Sequence, residues 1–293
     1  MNSSPATQFS VATRRFANPG LLASCAAIAV LPAIALTAQA QQAAAPQPLW
    51  EFGGVGLAIS QQAYPGSAKR TNRALALPYL LYRGDFFRAD RDNVGFRAFK
   101  SPTLELDVGF AGALGASSGE LDARRGMPDL GTLVEFGPRL KWNLGEGAAG
   151  GRLRAEFALR GVFDLSDGLI SKGVSFEPKL VYENSLGDWR YSTSIAAVNG
   201  NRRLTDTFYG VASSYATAGR PAYNAQGGLM ALRLGATASR ALTPDLRLLA
   251  FVRVDSLAGS ANRASPLVEK NSGTTVGLTL LYTWARSQTM VSD

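Results

Sequence analysis

The sequence predicts an all-β protein that forms a single closed antiparallel transmembrane β-barrel, and three observations lead to this fold class. Apolar and polar residues alternate with a period of two in many segments, as in strands that present one face to lipid. Segments such as 131–144 and 151–164 exceed the roughly ten residues that a tilted strand needs to cross a bilayer. After residue 40, no apolar run reaches the roughly 18 residues of a membrane-spanning helix.

Residues 1–40 have the order of a secretory signal peptide. Arg14 and Arg15 form a positive start, an apolar stretch follows over 21–36, and Ala38-Gln39-Ala40 provides a small-x-small cleavage site. We therefore expect four parts of the chain, which are a cleaved signal peptide over 1–40, a flexible leader over 41–48, an outer-membrane barrel over 49–285 and a C-terminal tail over 286–293.

The periodicity predicts about twelve strands, with ten as the fallback because the third and fourth have the weakest patterns. The predicted strands lie near 50–60, 73–83, 85–91, 94–100, 103–114, 131–144, 151–164, 174–184, 189–198, 228–242, 246–257 and 273–285. Long and short connections alternate between them, as expected if long ones are extracellular and short ones periplasmic. An even strand number then places both termini in the periplasm.

The strand faces opposite the predicted lipid face carry charges of both signs, so the lumen is expected to be charged. In a barrel of about twelve strands, side chains can fill much of the interior, which favours paired charges and a plugged or narrow lumen. The alternative is an unpaired basic lining, which would favour anions in an open pore. The predicted lumenal charges are Glu135, Arg139, Arg152, Arg154, Glu156, Arg160, Glu177, Arg233 and Arg253.

The composition argues against an enzyme and against cofactors. The chain has no His, and its single Cys, Cys25, lies within the predicted signal peptide. This removes Ser-His and Cys-His catalysis and His-ligated zinc. The net charge of +8 permits an anionic partner. Because an exported chain rarely meets nucleic acid, we expect outer-membrane lipids and lipopolysaccharide instead.

Several short sequence motifs in the predicted long connections occur in a characteristic order, among them Tyr64-Pro65-Gly66-Ser67 and Phe208-Tyr209-Gly210-Val211. By these motifs, which we call the family words, the chain resembles the MipA/OmpV family, which is named after an MltA-interacting protein and an outer-membrane protein. The candidate interaction or loop-motif residues within the words are Tyr64, Gly66, Met127, Asp129, Tyr209, Tyr223, Ser265 and Pro266.

The resemblance implies an outer-membrane protein without catalytic residues. It implies a scaffold that links a lytic transglycosylase to a penicillin-binding protein during murein growth. The alternative is a narrow channel or a surface-binding barrel for small solutes. A scaffold for murein enzymes must face the periplasm, whereas the family words lie in predicted extracellular loops. Either these loops fold into the lumen as structural elements, or the scaffold role belongs to particular family members only.

The longest predicted connection, 199–227, carries Tyr and Arg residues that are typical of interfaces. A connection of this length is usually functional or disordered. A loop that folds in and caps the barrel is the alternative.

Overall fold

The structure is a computed structural model that describes residues 46–83, 87–89 and 94–291. The predicted signal peptide and most of the predicted leader lie outside the described residues.

Strands make up most of the described chain. The strands are β1 (Gln47–Pro48), β2 (Trp50–Gln62), β3 (Arg70–Arg83), β4 (Phe87–Ala89), β5 (Val94–Lys100), β6 (Leu104–Ala113), β7 (Leu133–Glu146), β8 (Arg152–Asp164), β9 (Ile170–Leu186), β10 (Trp189–Gly200), β11 (Gly228–Ala241), β12 (Leu246–Ser256), β13 (Ser272–Arg286) and β14 (Met290–Val291). This confirms the predicted all-β class.

Helical structure is confined to the connections. One α-helix, α1 (Arg202–Tyr209), lies in the longest connection. It begins at Asn201, whose side chain accepts a hydrogen bond from the Leu204 amide at 3.1 Å, and such caps satisfy an otherwise free N–H group. No helix in the part of the chain that the structure describes is long and apolar enough to cross a bilayer. Single 3₁₀ turns occur at Ser118–Glu120, Asp122–Arg124, Ala148–Gly150, Leu165–Asp167 and Ser213–Tyr215.

The strands β2 to β13 form one antiparallel sheet in which each strand pairs with its neighbours in sequence. Strand β13 also pairs with β2, so that the ladder of the described residues closes into a ring of twelve strands. In a closed ring, backbone N–H and C=O groups along the wall find partners on adjacent strands. Among the described residues, β3 and β6 are joined only through the short pairings of β4 and β5. The arrangement separates a convex outer face from an enclosed lumenal face.

The two ends of the described chain meet in a separate two-stranded sheet. Gln47 pairs with Val291 and Pro48 pairs with Met290. The amide of Leu49 also donates to the Thr289 carbonyl at 2.8 Å. The last residues of the predicted leader and part of the predicted tail are thus held together by backbone hydrogen bonds.

Strand β8 shows how the alternating sequence places side chains on the two faces. Phe157 and Leu159 point outward and are 37% and 48% exposed. Directly before and after this pair, Glu156 and Arg160 point into the lumen and are 4% and 7% exposed. Since successive side chains of a strand project to opposite faces, one strand supplies both an apolar exterior and a charged interior.

Candidate functional site

Charges of alternating sign cross the lumenal wall from strand to strand. Glu105 of β6 lies opposite Lys141 of β7, which lies opposite Glu156 of β8, which lies opposite Lys179 of β9. Directly opposite side chains in an antiparallel pair are close enough to interact. Lys141 contacts Glu105 at 3.1 Å, and Lys179 contacts Glu156 at 2.9 Å.

A second row of the same wall is buried more deeply. Arg139 binds Asp107 with two guanidinium nitrogens, at 3.0 and 2.9 Å, in a bidentate pair. Asp107 also forms an ion pair with Lys141 at 3.0 Å. The carboxylates of Glu105 and Asp107 therefore belong to a salt-bridge network. Their counter-charges favour the ionised form, unlike the environment of a carboxylate that acts as a general acid.

Towards β11 and β12 the network continues with contacts of 2.7 to 3.5 Å. Arg160 lies 3.5 Å from Glu135 and 3.4 Å from Glu177. Arg233 reaches Glu177 at 3.5 Å and Asp255 at 2.7 Å. These contacts link five strands, because the carboxylates are shared between neighbouring guanidinium groups.

The remaining predicted lumenal charges differ in their surroundings. Arg154 binds both Glu156 and Glu183, at 2.9 and 2.8 Å, and Arg253 lies 3.3 Å from Asp255. Arg152, at the first position of β8, is exposed. Of the nine predicted charges, Arg152 is the exposed one, and the other eight take part in ion pairs within the described residues. The structure therefore favours the paired interior over the unpaired basic lining.

Tyr64, in the β2–β3 connection, is a buried anchor of the loops at one end of the barrel. Its hydroxyl donates to the Leu267 carbonyl at 2.7 Å. The Arg124 guanidinium lies over its ring, 5.8 Å from the ring centre. Burial, and secondarily the negative charge of Glu269, raises the pKa of Tyr64 to about 12. The phenol is therefore a neutral hydrogen-bond donor at physiological pH.

Gly66 also joins the β2–β3 connection to the β12–β13 connection. Its carbonyl accepts hydrogen bonds from the amides of Glu269 and Lys270, at 2.8 and 2.9 Å. Its φ of +95° lies in the region that glycine adopts without strain. A Cβ atom here would also lie 3.0 Å from the Leu257 side chain. A glycine is therefore needed for the loops to approach this closely.

Met127 and Asp129 order the β6–β7 connection. Met127 packs in an apolar cluster with Tyr64, Leu121 and Leu130. The Asp129 carboxylate accepts a hydrogen bond from the Ser118 amide at 2.6 Å, which fixes the start of a 3₁₀ turn.

Tyr209, Ser265 and Tyr223 join the longest connection to the β12–β13 connection. The Ser265 hydroxyl donates to the Tyr209 carbonyl at 2.7 Å. Tyr209 is fully buried, and burial, followed by the nearby Asp255, raises the pKa of its phenol. Tyr223 is half-buried and exchanges two backbone hydrogen bonds of 2.9 Å with Val211. Pro266, also half-buried, follows Ser265 in the same turn.

Arg124, Arg220 and Asn262 also hold the loops, and sequence reasoning did not single them out for this role. Arg124 donates to the Phe208 carbonyl at 3.3 Å, and Arg220 donates to the carbonyls of Ala123 and Arg125 at 3.0 Å. Asn262 is fully buried and bonds both backbone groups of Gln226, at 2.8 and 2.7 Å. Burial lowers the pKa of Arg124. Nothing in their local sequence marks these residues, because each bonds to a distant segment.

We call these interlocked connections, 63–69, 114–132, 201–227 and 257–271, the loop cap. Its helix α1 packs Leu204 and Tyr209 against Val162, a lumenal residue of β8, and so covers this end of the lumen. Of the two alternatives given for the family words, interaction residues or structural loop motifs, the surroundings of Tyr64, Met127, Tyr209 and Ser265 favour the loop motif. Their side chains are at most 9% exposed because they bind other loops.

The hydrogen bond of Tyr64 can be tested by Tyr64→Phe. Loss of the hydroxyl leaves the buried Leu267 carbonyl without this donor, which should weaken the loop cap by about 1–3 kcal/mol. Hydrogen exchange of amides in 63–69 and 265–270 should become roughly five- to a hundredfold faster. Tyr223→Phe is the matched control, because its hydroxyl lies 3.5 Å from an Asn262 oxygen that Gln226 already satisfies. Unchanged exchange in Tyr64→Phe would refute the anchoring role.

Among the described residues, no group of three acidic, Cys or His side chains is placed to hold a metal ion.

Comparison with known proteins provides the family. Curated proteins give no match. Among solved structures, the chain is similar to outer membrane phospholipase A from Escherichia coli, with 15% identity over 81% of this chain and 91% of that chain and a TM-score of 0.36. It is also similar to a FadL homologue from Pseudomonas aeruginosa, with 10% identity over 80% and 90% of the two chains and a TM-score of 0.26. The family model described as MltA-interacting protein MipA matches residues 53–284, and the chain therefore belongs to this family.

Proposed function

We propose that the protein is an outer-membrane β-barrel that acts as a non-enzymatic scaffold for peptidoglycan-remodelling enzymes. Its first partner in this proposal is a lytic transglycosylase, and a penicillin-binding protein is the second. The observation that carries the proposal is the match of residues 53–284 to the family of the MltA-interacting protein. This match covers nearly the whole of the strand ladder, so the family relationship concerns the barrel itself.

The outer face of the ladder supports a membrane location. Leu159, Ile195 and Leu278 are 48%, 52% and 48% exposed, although each projects from the middle part of a strand. Such a large apolar surface suits a lipid environment. Tryptophan and tyrosine side chains near strand ends are typical of the membrane interfaces. These exposed aromatic residues are Trp50, Trp142, Trp189, Tyr282 and Trp284.

The interior supports a scaffold more than a channel for ions. Ion pairs link the charges of β6 to β9 with Arg233 and Asp255, and α1 covers one end of the lumen. Charges that neutralise each other along this wall do not form the continuous basic lining of an anion channel.

The geometry of the connections supports one end of the barrel as the contact surface for a periplasmic partner. The long connections are tied together in the loop cap, whereas the opposite end carries short turns and the β1–β14 sheet. Short turns and termini lie on the periplasmic side of bacterial barrels. Exposed charges occur on these turns, as in the pairs Asp188–Arg240 and Asp245–Arg286. We therefore place the contact with the murein enzyme at the short-turn end.

This placement can be tested by the charge reversal Asp188→Lys. The purified wild-type protein, immobilised in amphipol, should retain a lytic transglycosylase, and Asp188→Lys should retain less of it. Asp122→Lys is the matched control, because Asp122 is also an exposed aspartate paired with an arginine but lies in the loop cap. It should leave retention unchanged.

The opposite pattern, with Asp122→Lys alone reducing retention, would refute the placement at the short-turn end. Failure of the wild-type protein to retain any murein enzyme, together with stable anion-selective steps in planar bilayers, would replace the scaffold by the channel.

A further inference from the structure

The lumen has a second wall that differs from the charged one. It is formed by the strands β12, β13, β2 and β3. Arg247 lies opposite Leu281, Leu281 lies opposite Val55, and Val55 lies opposite Leu77. Because directly opposite residues project to the same side of a sheet, these four side chains form one row on one face.

Two further rows lie above the first on the same face. Leu249 of β12 is in register with Leu57 of β2 and Leu75 of β3, through Thr279. Phe251 is in register with Ile59 through Gly277, where an added Cβ atom would lie 2.3 Å from the Phe251 ring. A side chain at position 277 would therefore displace this ring. We call the apolar members of the three rows the apolar wall, which comprises Val55, Leu57, Ile59, Leu75, Leu77, Leu249, Phe251 and Leu281.

Neighbouring contacts show that this face is the lumenal one. Glu51 and Tyr79 share its parity, and both reach Thr283, while Glu51 binds the buried Arg83 at 2.7 Å. Phe52 and Trp284 project from the opposite face of the sheet. Their ring centres lie 5.2 Å apart, and both side chains are exposed on the outside. The pairing of β2 with β3 continues without a register shift, so the parity holds along the whole wall.

The apolar wall is open, whereas the charged wall is packed. Charged side chains such as Asp107 and Glu156 are 4% exposed because they pair with each other. In contrast, none of the eight apolar-wall residues is buried, and Leu77 is 57% exposed. Accessible apolar surface inside a barrel of this size is typical of a ligand cavity and is costly if it faces only water.

Arg247 places an unsatisfied cation at the edge of the apolar wall. Its Nη1 atom is buried and has no hydrogen-bond partner. The nearby carboxylate of Glu51 is already bound by Arg83 at 2.7 Å. Arg247 has no ion pair among the described residues, so its position complements an anionic group.

We propose that the apolar wall and Arg247 together bind a free fatty acid, with the carboxylate on Arg247 and the acyl chain along the wall. From Arg247 to Phe251 the strand advances four residues, or about 13 Å, which gives a medium-length acyl chain a continuous apolar path. The flanking rows of β2 and β3 contribute Val55 and Leu57 beside this path. This site goes beyond the scaffold role and requires no murein partner.

The test compares dodecanoic acid with dodecanol, which has the same chain but no charge. Equilibrium dialysis of each radiolabelled compound against amphipol-held protein, with empty amphipol as blank, measures binding. Wild type should bind dodecanoic acid saturably with a stoichiometry of one. Arg247→Met should weaken binding of dodecanoic acid about tenfold or more, because one charge-assisted interaction is lost, and should leave binding of dodecanol unchanged.

Two further variants locate the head group and the chain. Arg253→Met removes a guanidinium from the same face of β12, but this one is engaged by Asp255, so binding should not change. Leu57→Ser should weaken the binding of both compounds. Heat-modifiable mobility in gels verifies that each variant is folded. Absence of saturable binding to wild type, or equal loss of dodecanoic acid and dodecanol in Arg247→Met, would overturn the proposal. A loss in Arg253→Met but not in Arg247→Met would also overturn it.

Discussion

Glu156→Gln is expected to destabilise the barrel by about 3–5 kcal/mol, because it removes a buried carboxylate that two partly buried cations share. Glu156 is 4% exposed and contacts Arg154 and Lys179, each at 2.9 Å. Arg154 keeps Glu183, but Lys179 has no other ion pair among the described residues. Reversible urea unfolding in lipid vesicles, followed by tryptophan fluorescence, measures the free energy of unfolding.

Glu183→Gln is the matched control for this change. Glu183 also binds Arg154 but is 31% exposed, and Arg154 retains Glu156 when it is lost. We expect a loss below about 1 kcal/mol, as for a partly solvated ion pair. The double variant Glu156→Gln/Lys179→Gln should recover part of the stability, since it leaves no unpaired lysine. Equal effects of Glu156→Gln and Glu183→Gln would contradict a network that depends on buried charge.

Leu159→Arg is expected to cost about 2–4 kcal/mol, since an arginine on the lipid face near the middle of the bilayer meets hydrocarbon. Leu159 is 48% exposed on the outer face of β8 and lies near the middle of Arg152–Asp164. The same unfolding experiment reports the loss, and the fraction of heat-modifiable protein reports assembly.

Leu153→Arg tests the depth dependence on the same strand. Leu153 projects from the same face as Leu159 but is the second residue of β8. An arginine there reaches the membrane interface, so we expect a loss of only about 0–1 kcal/mol in the free energy of unfolding. If both substitutions were tolerated, or if both had the same cost, β8 would not cross a membrane in this register.

Local periodicity predicted the strands well, because the two faces of each strand meet different environments, the exterior and the lumen. The predicted segments 151–164 and 246–257 correspond to β8 (Arg152–Asp164) and β12 (Leu246–Ser256). Where one face is apolar and the other polar, the alternation also indicates which side chains point inward. One of the two weakest predicted strands, 85–91, corresponds to the short β4 (Phe87–Ala89).

The same rule explains why the apolar wall was not predicted. In β12, residues Leu248 to Val252 are apolar without interruption, so no period of two separates the lumenal Leu249 and Phe251 from their outward neighbours. The spacing from Arg247 puts Leu249 and Phe251 on its face of β12, but the apolar run itself does not mark that face as different from the other. Only the register with β13 and β2 brings Leu281, Val55 and Leu57 beside them.

The loop cap shows the same division between local and long-range information. The words around Tyr64 and Ser265 were recognised as loop motifs from sequence, but their partners were not. Tyr64 bonds to a carbonyl 203 residues away, and Asn262 holds a segment 36 residues away. Hydrogen bonds between such distant segments leave no periodic trace in the chain.

By itself, the sequence determined the all-β class, the approximate bounds of the strands, the sides of the charged residues and the absence of histidine chemistry. These properties depend on residue type and on spacing within one strand, which are local. The tertiary structure alone decided that the charges pair across neighbouring strands, that the family words are buried in a cap, and that the lumen has one packed charged wall and one open apolar wall. Each of these depends on which strands become neighbours, and the free energy of a buried ion pair or an apolar row arises only when they meet.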